Sequence, residues 1–359
     1  MPDTGRVGLL CEVRKSRRQP GSSVNAVKRV ASRVRPALVN HAGLPRRQPV
    51  STDIDERTAV ASDTVAPVST PVLTDPVLTN PVWLHNHLVD ASHAHIAVSD
   101  HGVTVGDGVF ETIAVRGGVA VALDRHIARL TWSAQQMGLL APDAAVVHDA
   151  VVAVLSAADN ATRASGRMRI TWTSGDGPLG SARGGGPGTL MVWAQAAGAW
   201  PATSRIAVCP WVRNERSAVA GVKTTSYAEN VVALAWAREH GADEALFLDT
   251  RGNLSEGTGS NVLLSLNGTL VTPALSTGCL AGIVRALVLE TSAVVEVELG
   301  ESALRECDAV ALLSSTRDVH PVSQVRFADG SVRSFNGADV LIEGAAHALT
   351  ALYERTLNP

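Results

Sequence analysis

Lysine is nearly missing from this 359-residue chain. It occurs only at Lys15, Lys28 and Lys223, and arginine supplies the rest of the permanent positive charge. Cysteine is scarce too, and its four copies, Cys11, Cys209, Cys279 and Cys307, are scattered. None forms a CxxC pair or has a histidine at ligand spacing, which argues against zinc and a disulfide framework and fits a reducing cytoplasm. No apolar run approaches the roughly 18 residues of a membrane span. Nor is there a large charge excess: 31 Lys+Arg stand against 34 Asp+Glu, so the balance gives no reason to expect nucleic acid or an acidic membrane as partner. The glycine-rich pieces lack what a nucleotide site requires. "RGGGPG" has no following GK[ST], and "GDGVFE" departs from GxGxxG, so neither a P-loop nor a dinucleotide fold is supported. His101, His126 and His320 are far apart and suit capping or core roles better than a metal site.

What is present points to a globular body behind an extension. Hydrophobic residues make up 45% of the chain and charged residues 18%, enough for a sizeable core. Residues 1–80 are first basic, then rich in Thr, Ser, Pro and Val, without sustained amphipathic periodicity. They read as a disordered extension, with an organellar transit peptide or a nucleic-acid arm as the sharper alternatives. From residue 82, "VWLHNHLVD" and "VFETIAVRGGVAVAL" read as strands, the second folded at Gly117-Gly118. "DRHIARLTWSAQQMGL" sets Ile127, Leu130, Ala134 and Met137 on one helical face, with Gly138 as its stop. "GRMRITWTSG" and "TLMVWAQA" are further strands, and "AGAWPATS" reads as a linker. Beyond it, Ser226 to Glu229 resembles a capping box opening a helix that Gly241 closes. "EALFLD" is a short strand, "NVLLSL" and "TLVTP" flank an Asn267-Gly268 hairpin, "AGIVRALVLE" opens a helix, and "AVALLSSTRDVHPV" runs from strand into loop. The pattern implies an α/β protein with a small domain over 81–198 and a larger one over 199–359.

Lys223, in "AGVKTTSYAEN", is the one lysine of this body. A primary amine can condense with an aldehyde, which a guanidinium cannot do. A carbonyl cofactor would also need a carboxylate for its ring nitrogen, a phosphate cradle and a partner for its ring hydroxyl. Glu256 in "GNLSEGTGSN" is a candidate carboxylate, and "LAGIVRALVLE" puts a small-residue turn before a helix, where free N–H groups bind anions. Arg129 and Thr316 can complete the phosphate site, and Tyr227 can reach the hydroxyl. Taken singly, each of these residues is equally at home on a solvated turn, a helix surface or a core.

Six segments, in order, resemble the fold-type IV enzymes that use pyridoxal phosphate: "VSDHGVTVGDGVFET", "HIARL", "VKTTSYAENVVAL", "GADEALFLDTRGNLSEGTGSNV", "LVTPALSTGCLAGIVR" and "SSTRDVHPV". Branched-chain aminotransferases, D-amino-acid aminotransferases and 4-amino-4-deoxychorismate lyases belong to that family. The resemblance implies that Lys223 holds the cofactor aldehyde as an imine and moves protons, and that Glu256 pairs with the pyridine nitrogen. It implies that Arg129, the backbone N–H groups of Ile283 and Val284, and Thr316 hold the phosphate, and that Tyr227 meets the ring hydroxyl. Val284 stands where relatives often have threonine, so a hydroxyl contact is lost there while the N–H remains. Phe110 and Glu111 fall where the family lines its substrate pocket, and Arg183 and Arg317 remain as carboxylate binders. Ser174 stands where the D-amino-acid enzymes carry an arginine, which disfavours that activity. The wording of "KTTSYAEN" and "GCLAGIVR" is closer to the lyase, which makes 4-aminobenzoate for folate synthesis, with a branched-chain or related aminotransferase as the alternative. A cytoplasmic homodimer acting on a small amine or amino acid, without metal, is implied.

Overall fold

A computed structural model describes residues 79–357 of the chain. The expectations for the N-terminal extension lie outside these residues, apart from its last two positions. Within them the strands form two sheets. The first holds β1 (Val82–Leu84), β2 (His87–Val89), β3 (Gly108–Arg116), β4 (Val119–Ala120), β5 (Ser165–Thr173) and β6 (Thr189–Ala196). Its order is β2-β1-β6-β5-β3-β4 and all its pairs are antiparallel. "VWLHNHLVD" is a hairpin rather than one strand, because His85 and Asn86 both take positive φ (52° and 63°) and reverse the chain. Helix α1 (His101–Thr104) precedes β3, while α2 (Leu123–Gln136), α3 (Ala144–Ala157) and α4 (Asn160–Ala164) fall between β4 and β5. Ile127, Leu130 and Ala134 of α2 meet Val147, Val151 and Val154 of α3 over the sheet face that carries Ile113, Met168 and Ile170.

The second sheet follows residues 197–203. Its strands are β7 (Ser204–Arg213), β8 (Glu244–Asp249), β9 (Leu254–Gly257), β10 (Asn261–Leu266), β11 (Thr269–Pro273), β12 (Val294–Val297), β13 (Ala309–Ser314), β14 (Asp318–Arg326) and β15 (Val332–Ser334). They run β12-β11-β10-β13-β14-β7-β8-β9, with β15 on β14. Helix α5 (Ala228–Glu239) links the parallel pair β7 and β8, and α6 (Ile283–Thr291) links the parallel pair β11 and β12. α7 (Ser302–Glu306) and the C-terminal α8 (Val340–Leu357) cover the sheet further. "SSTRDVHPV" is a tight reversal into β14 rather than a loop, since residues 315–317 join two paired strands. Ser226 does not cap α5. The cap position is Tyr227, and the Ser226 hydroxyl donates instead to the carbonyl of Gly106, 2.9 Å away.

β3 is buried on both faces for most of its length. Alternate residues of a strand point to opposite sides. Val109, Ile113 and Val115 therefore join the core under α2 and α3, whereas Ala114 packs with Leu263, Ile283 and Leu313 of the second sheet's layer. The strand is shared between two cores, and its second face borders the cavity described next.

Candidate active site

Lys223 lies on the segment between β7 and α5, and backbone bonds fix that segment to the start of β3. Phe110 N donates to the Lys223 carbonyl (2.9 Å), and Thr225 N donates to that of Gly108 (2.8 Å). The side chain enters a cavity of about 230 Å³ with its Nζ 4.5 Å from the Phe110 ring centre. Burial lowers the amine to about 8, helped by the neighbouring cations Arg129 and Arg169 and opposed by Glu111 and Glu256. The amine is thus nearer to neutrality at ordinary pH than a surface lysine.

Glu256, at the end of β9, borders the same cavity. Its Oε2 accepts from Leu280 N (2.9 Å), and Arg213 Nε lies 3.2 Å from Oε1 without the alignment of a hydrogen bond. Burial raises this carboxyl, with Arg213 and the Leu280 N–H opposing. Tyr227 also lines the space, its ring edge against Phe110 at 5.2 Å, and its hydroxyl donates to the Thr258 carbonyl at 2.9 Å. Its oxygen keeps lone pairs with which to accept, while burial raises the phenol to about 12.

The start of α6 also lines the cavity. The first-turn N–H groups of any helix lack intrahelical partners, and here Gly282 caps without a side chain while Ile283 and Val284 line the cavity. Glycine is needed at 282, because a Cβ there would sit 1.9 Å from Asn261 Oδ1. Arg129 reaches the same wall, with Nη1 donating to the Ala281 carbonyl (3.0 Å). Ser315 and Thr316, on the β13–β14 turn, close the corner.

The cavity thus gathers Lys223, Glu256, Arg129, Tyr227, Ile283, Val284, Thr316 and Phe110 from six separate stretches of sequence. It does not take in Glu111. Next to Phe110 on β3, that residue must face the other way; it is fully buried and accepts from His126 Nδ1 (2.7 Å), Arg129 Nε (2.8 Å) and Arg129 Nη2 (2.6 Å). Arg317 does not line the cavity either. It is paired with Glu244 and packed at 4.8 Å on Trp200, while Glu244 accepts from Gly259 N (2.8 Å) and the Ser260 hydroxyl (2.7 Å). Arg183 is committed to Asp107 through both Nε and Nη2, at 2.7 Å each.

Among the described residues, the guanidinium that lines the cavity without a carboxylate partner is that of Arg169, which the motifs do not contain. It stands on β5 opposite Thr112, on the cavity side, with its guanidinium carbon 3.3 Å from the Phe110 ring centre. Its hydrogen bonds are long ones, to Thr171 (3.3 Å) and Thr112 (3.5 Å), and no carboxylate among the described residues pairs with it. Burial lowers it to about 10, so it stays charged at neutral pH. The signal was in the alternation of "RMRIT": Met168 and Ile170 belong to the core face, which leaves Arg169 on the other.

The donor set suits pyridoxal phosphate, because one cavity holds an amine, a carboxylate, an arginine and the first turn of a helix. Comparison with known proteins agrees. The chain is 31% identical over 258 residues, 70% of its own length and 88% of the relative's, to a Methanocaldococcus jannaschii protein provisionally named a branched-chain-amino-acid aminotransferase. It is 30% identical over 205 residues, 52% of this chain and 66% of the relative, to a Mycobacterium tuberculosis protein named a bifunctional aminodeoxychorismate lyase and D-amino acid transaminase. A hypothetical aminotransferase of M. tuberculosis, solved in its pyridoxal-phosphate-bound form, superposes with a TM-score of 0.66 at 25% identity, covering 76% of this chain and 98% of that one. The family model for amino-transferase class IV matches residues 108–325. With fold, cavity and sequence in agreement, this chain belongs to the class IV aminotransferases, the fold-type IV enzymes that use pyridoxal phosphate.

Proposed function

We propose that this cavity binds pyridoxal phosphate and moves an amino group between a branched-chain or related amino acid and a 2-oxo acid. The observation that carries the proposal is the placement of Lys223, with an amine lowered to about 8, in one cavity with Glu256, Arg129 and the start of α6. When bound, the cofactor supplies an aldehyde that condenses with amines and a ring that accepts electron density.

In this reading Lys223 Nζ, once neutral, takes the proton from the substrate α-carbon and later returns one. Glu256 keeps a proton shared with the ring nitrogen, and its raised affinity for protons suits that task. Arg129, the N–H groups of Ile283 and Val284, and the Thr316 hydroxyl hold the phosphate, while Tyr227 meets the ring hydroxyl. Arg169 attracts the substrate's carboxylate, and Phe110 screens that ion pair from water on one side. Residues 81–198 and 199–359 act as the two domains that flank the cavity, and two chains associate as a homodimer. Because the amine must be neutral to condense with an aldehyde, loading of pyridoxal phosphate onto the cofactor-free protein speeds up as pH is brought from 7 through about 8. A loading rate that stays level over this range counts against the lowered amine.

A second reading is cleavage of 4-amino-4-deoxychorismate to pyruvate and 4-aminobenzoate. It draws on the "KTTSYAEN" and "GCLAGIVR" wording and on the lyase name of the M. tuberculosis relative. The two readings part in a simple assay. Protein loaded with pyridoxal phosphate is given branched-chain amino acids with a 2-oxo acid, or 4-amino-4-deoxychorismate alone. Transfer in the first mixture and no 4-aminobenzoate in the second is the expected result; the converse makes the lyase the function.

A further inference from the structure

Arg129 does not face the cavity alone. Behind it, out of contact with the cavity, Glu111 is fully buried and takes three hydrogen bonds, two from Arg129 and one from His126. His126 and Arg129 stand three residues apart on α2, so both side chains lie on the helix face turned to β3. The far nitrogen of His126, Nε2, lies 3.4 Å from the hydroxyl of Ser315, beside Thr316 on the cavity rim. One carboxylate on β3 therefore joins the guanidinium on α2 to the turn before β14.

Resting on the cofactor reading above, we propose that Glu111 and His126 are positioning residues that aim Arg129 and Ser315 at the phosphate. Nε and Nη2 of Arg129 are held by Glu111 and Nη1 by the Ala281 carbonyl. Three anchors on one planar group leave it a single orientation, and its remaining N–H bonds are delivered beside the first turn of α6. The arrangement has a cost in charge. Glu111 offsets the charge of Arg129, so the cluster offers a dianion less positive potential than a free arginine would. Orientation and net charge therefore make opposite forecasts for the removal of Glu111.

The Glu111→Gln substitution keeps shape and some hydrogen bonding but removes the negative charge. If charge governs, pyridoxal phosphate binds more tightly to the variant. If aim governs, it binds less tightly by about tenfold or more, the scale of one charge-assisted hydrogen bond. Pyridoxal, which lacks the phosphate, is the control, and its affinity stays as in the unaltered protein. Dissociation constants for both compounds, measured by equilibrium dialysis on unaltered and substituted protein, decide the matter. A selective loss for the phosphate ester is expected. Tighter binding of it, unchanged binding, or an equal loss of both compounds overturns the proposal.

Should Glu111→Gln fail to fold, His126→Gln asks the same question, because it loosens the link from Glu111 to Ser315 and leaves the charge of Arg129 in place. Aim then predicts the same selective loss, and unchanged affinity overturns it. Failure of the cofactor reading is separately visible. In that case the unaltered protein does not bind pyridoxal phosphate, and borohydride reduction followed by peptide mapping leaves residue 223 unmodified.

Discussion

Glu111 and Glu256 are both removed from bulk water, yet the protein treats them in opposite ways. Burial pushes each upward, but around Glu111 the donors Arg129 and His126 outweigh it and hold the carboxyl down at about 2. Around Glu256 a single aligned backbone N–H and an unaligned Arg213 do not suffice, and the carboxyl stays raised. The number and direction of donors, rather than depth, decides which carboxylate is fixed as an anion and which can share a proton. In the proposed reading the first serves as a foundation and the second as a working group.

The largest effect belongs on the working side. Lys223→Ala is expected to reduce turnover to background and to abolish the visible absorbance of protein-bound cofactor; a variant that keeps both removes the amine from the account. Glu256→Gln comes next. Turnover should fall by about a hundredfold with cofactor binding little altered, the range for a group that controls a proton, and kinetics at saturating cofactor measure it. Arg169→Gln is expected to raise KM for the amino acid by about tenfold with a smaller change in kcat, the scale of one lost ionic hydrogen bond. A change in kcat alone would move Arg169 away from the substrate.

The smallest effect tests the foundation. Glu111 is held below its unfolded value of 4.5, so its contribution to stability is full above that value and is lost as pH falls from about 5 toward about 2. Chemical denaturation over this range should show the advantage of the unaltered protein over Glu111→Gln shrinking as acid is added. A constant difference means the carboxylate is not held as an anion.

Much of the frame is legible in the residues. The reversals at Gly117-Gly118 and Asn267-Gly268 need positive φ, and all four residues have it, from 50° to 81°. α2 follows from the spacing of Ile127, Leu130 and Ala134. The helix α8 is absent from the reading of the sequence, although Ile342, Ala345, Leu349 and Tyr353 recur at helical spacing and are all buried. The site is harder, because its parts meet only after the strands pair. Glu111 and Phe110 are adjacent in a motif, and a motif does not say which way a strand faces. Arg169 lies in no motif; alternation sets it on the face away from Met168 and Ile170, but only the pairing of β5 with β3 shows that this face borders the cavity. Ser226 has the spacing of a cap, but the Gly106 carbonyl, 120 residues away, takes its hydroxyl. The choice of reaction is the least legible: motif wording leans toward the lyase, while the relative at 31% identity bears an aminotransferase name.

The double burial of β3 constrains how such an enzyme can change. Even-numbered positions 110 and 112 border the cavity proposed to take the substrate, while odd-numbered 109 and 113 belong to the packed interior and 111 to the anchor. New substrate preferences are therefore open to point replacement at alternate residues only. Insertion or deletion of one residue in this ribbon would exchange wall for foundation along its whole remaining length, and selection can tune the strand only in steps that preserve its parity.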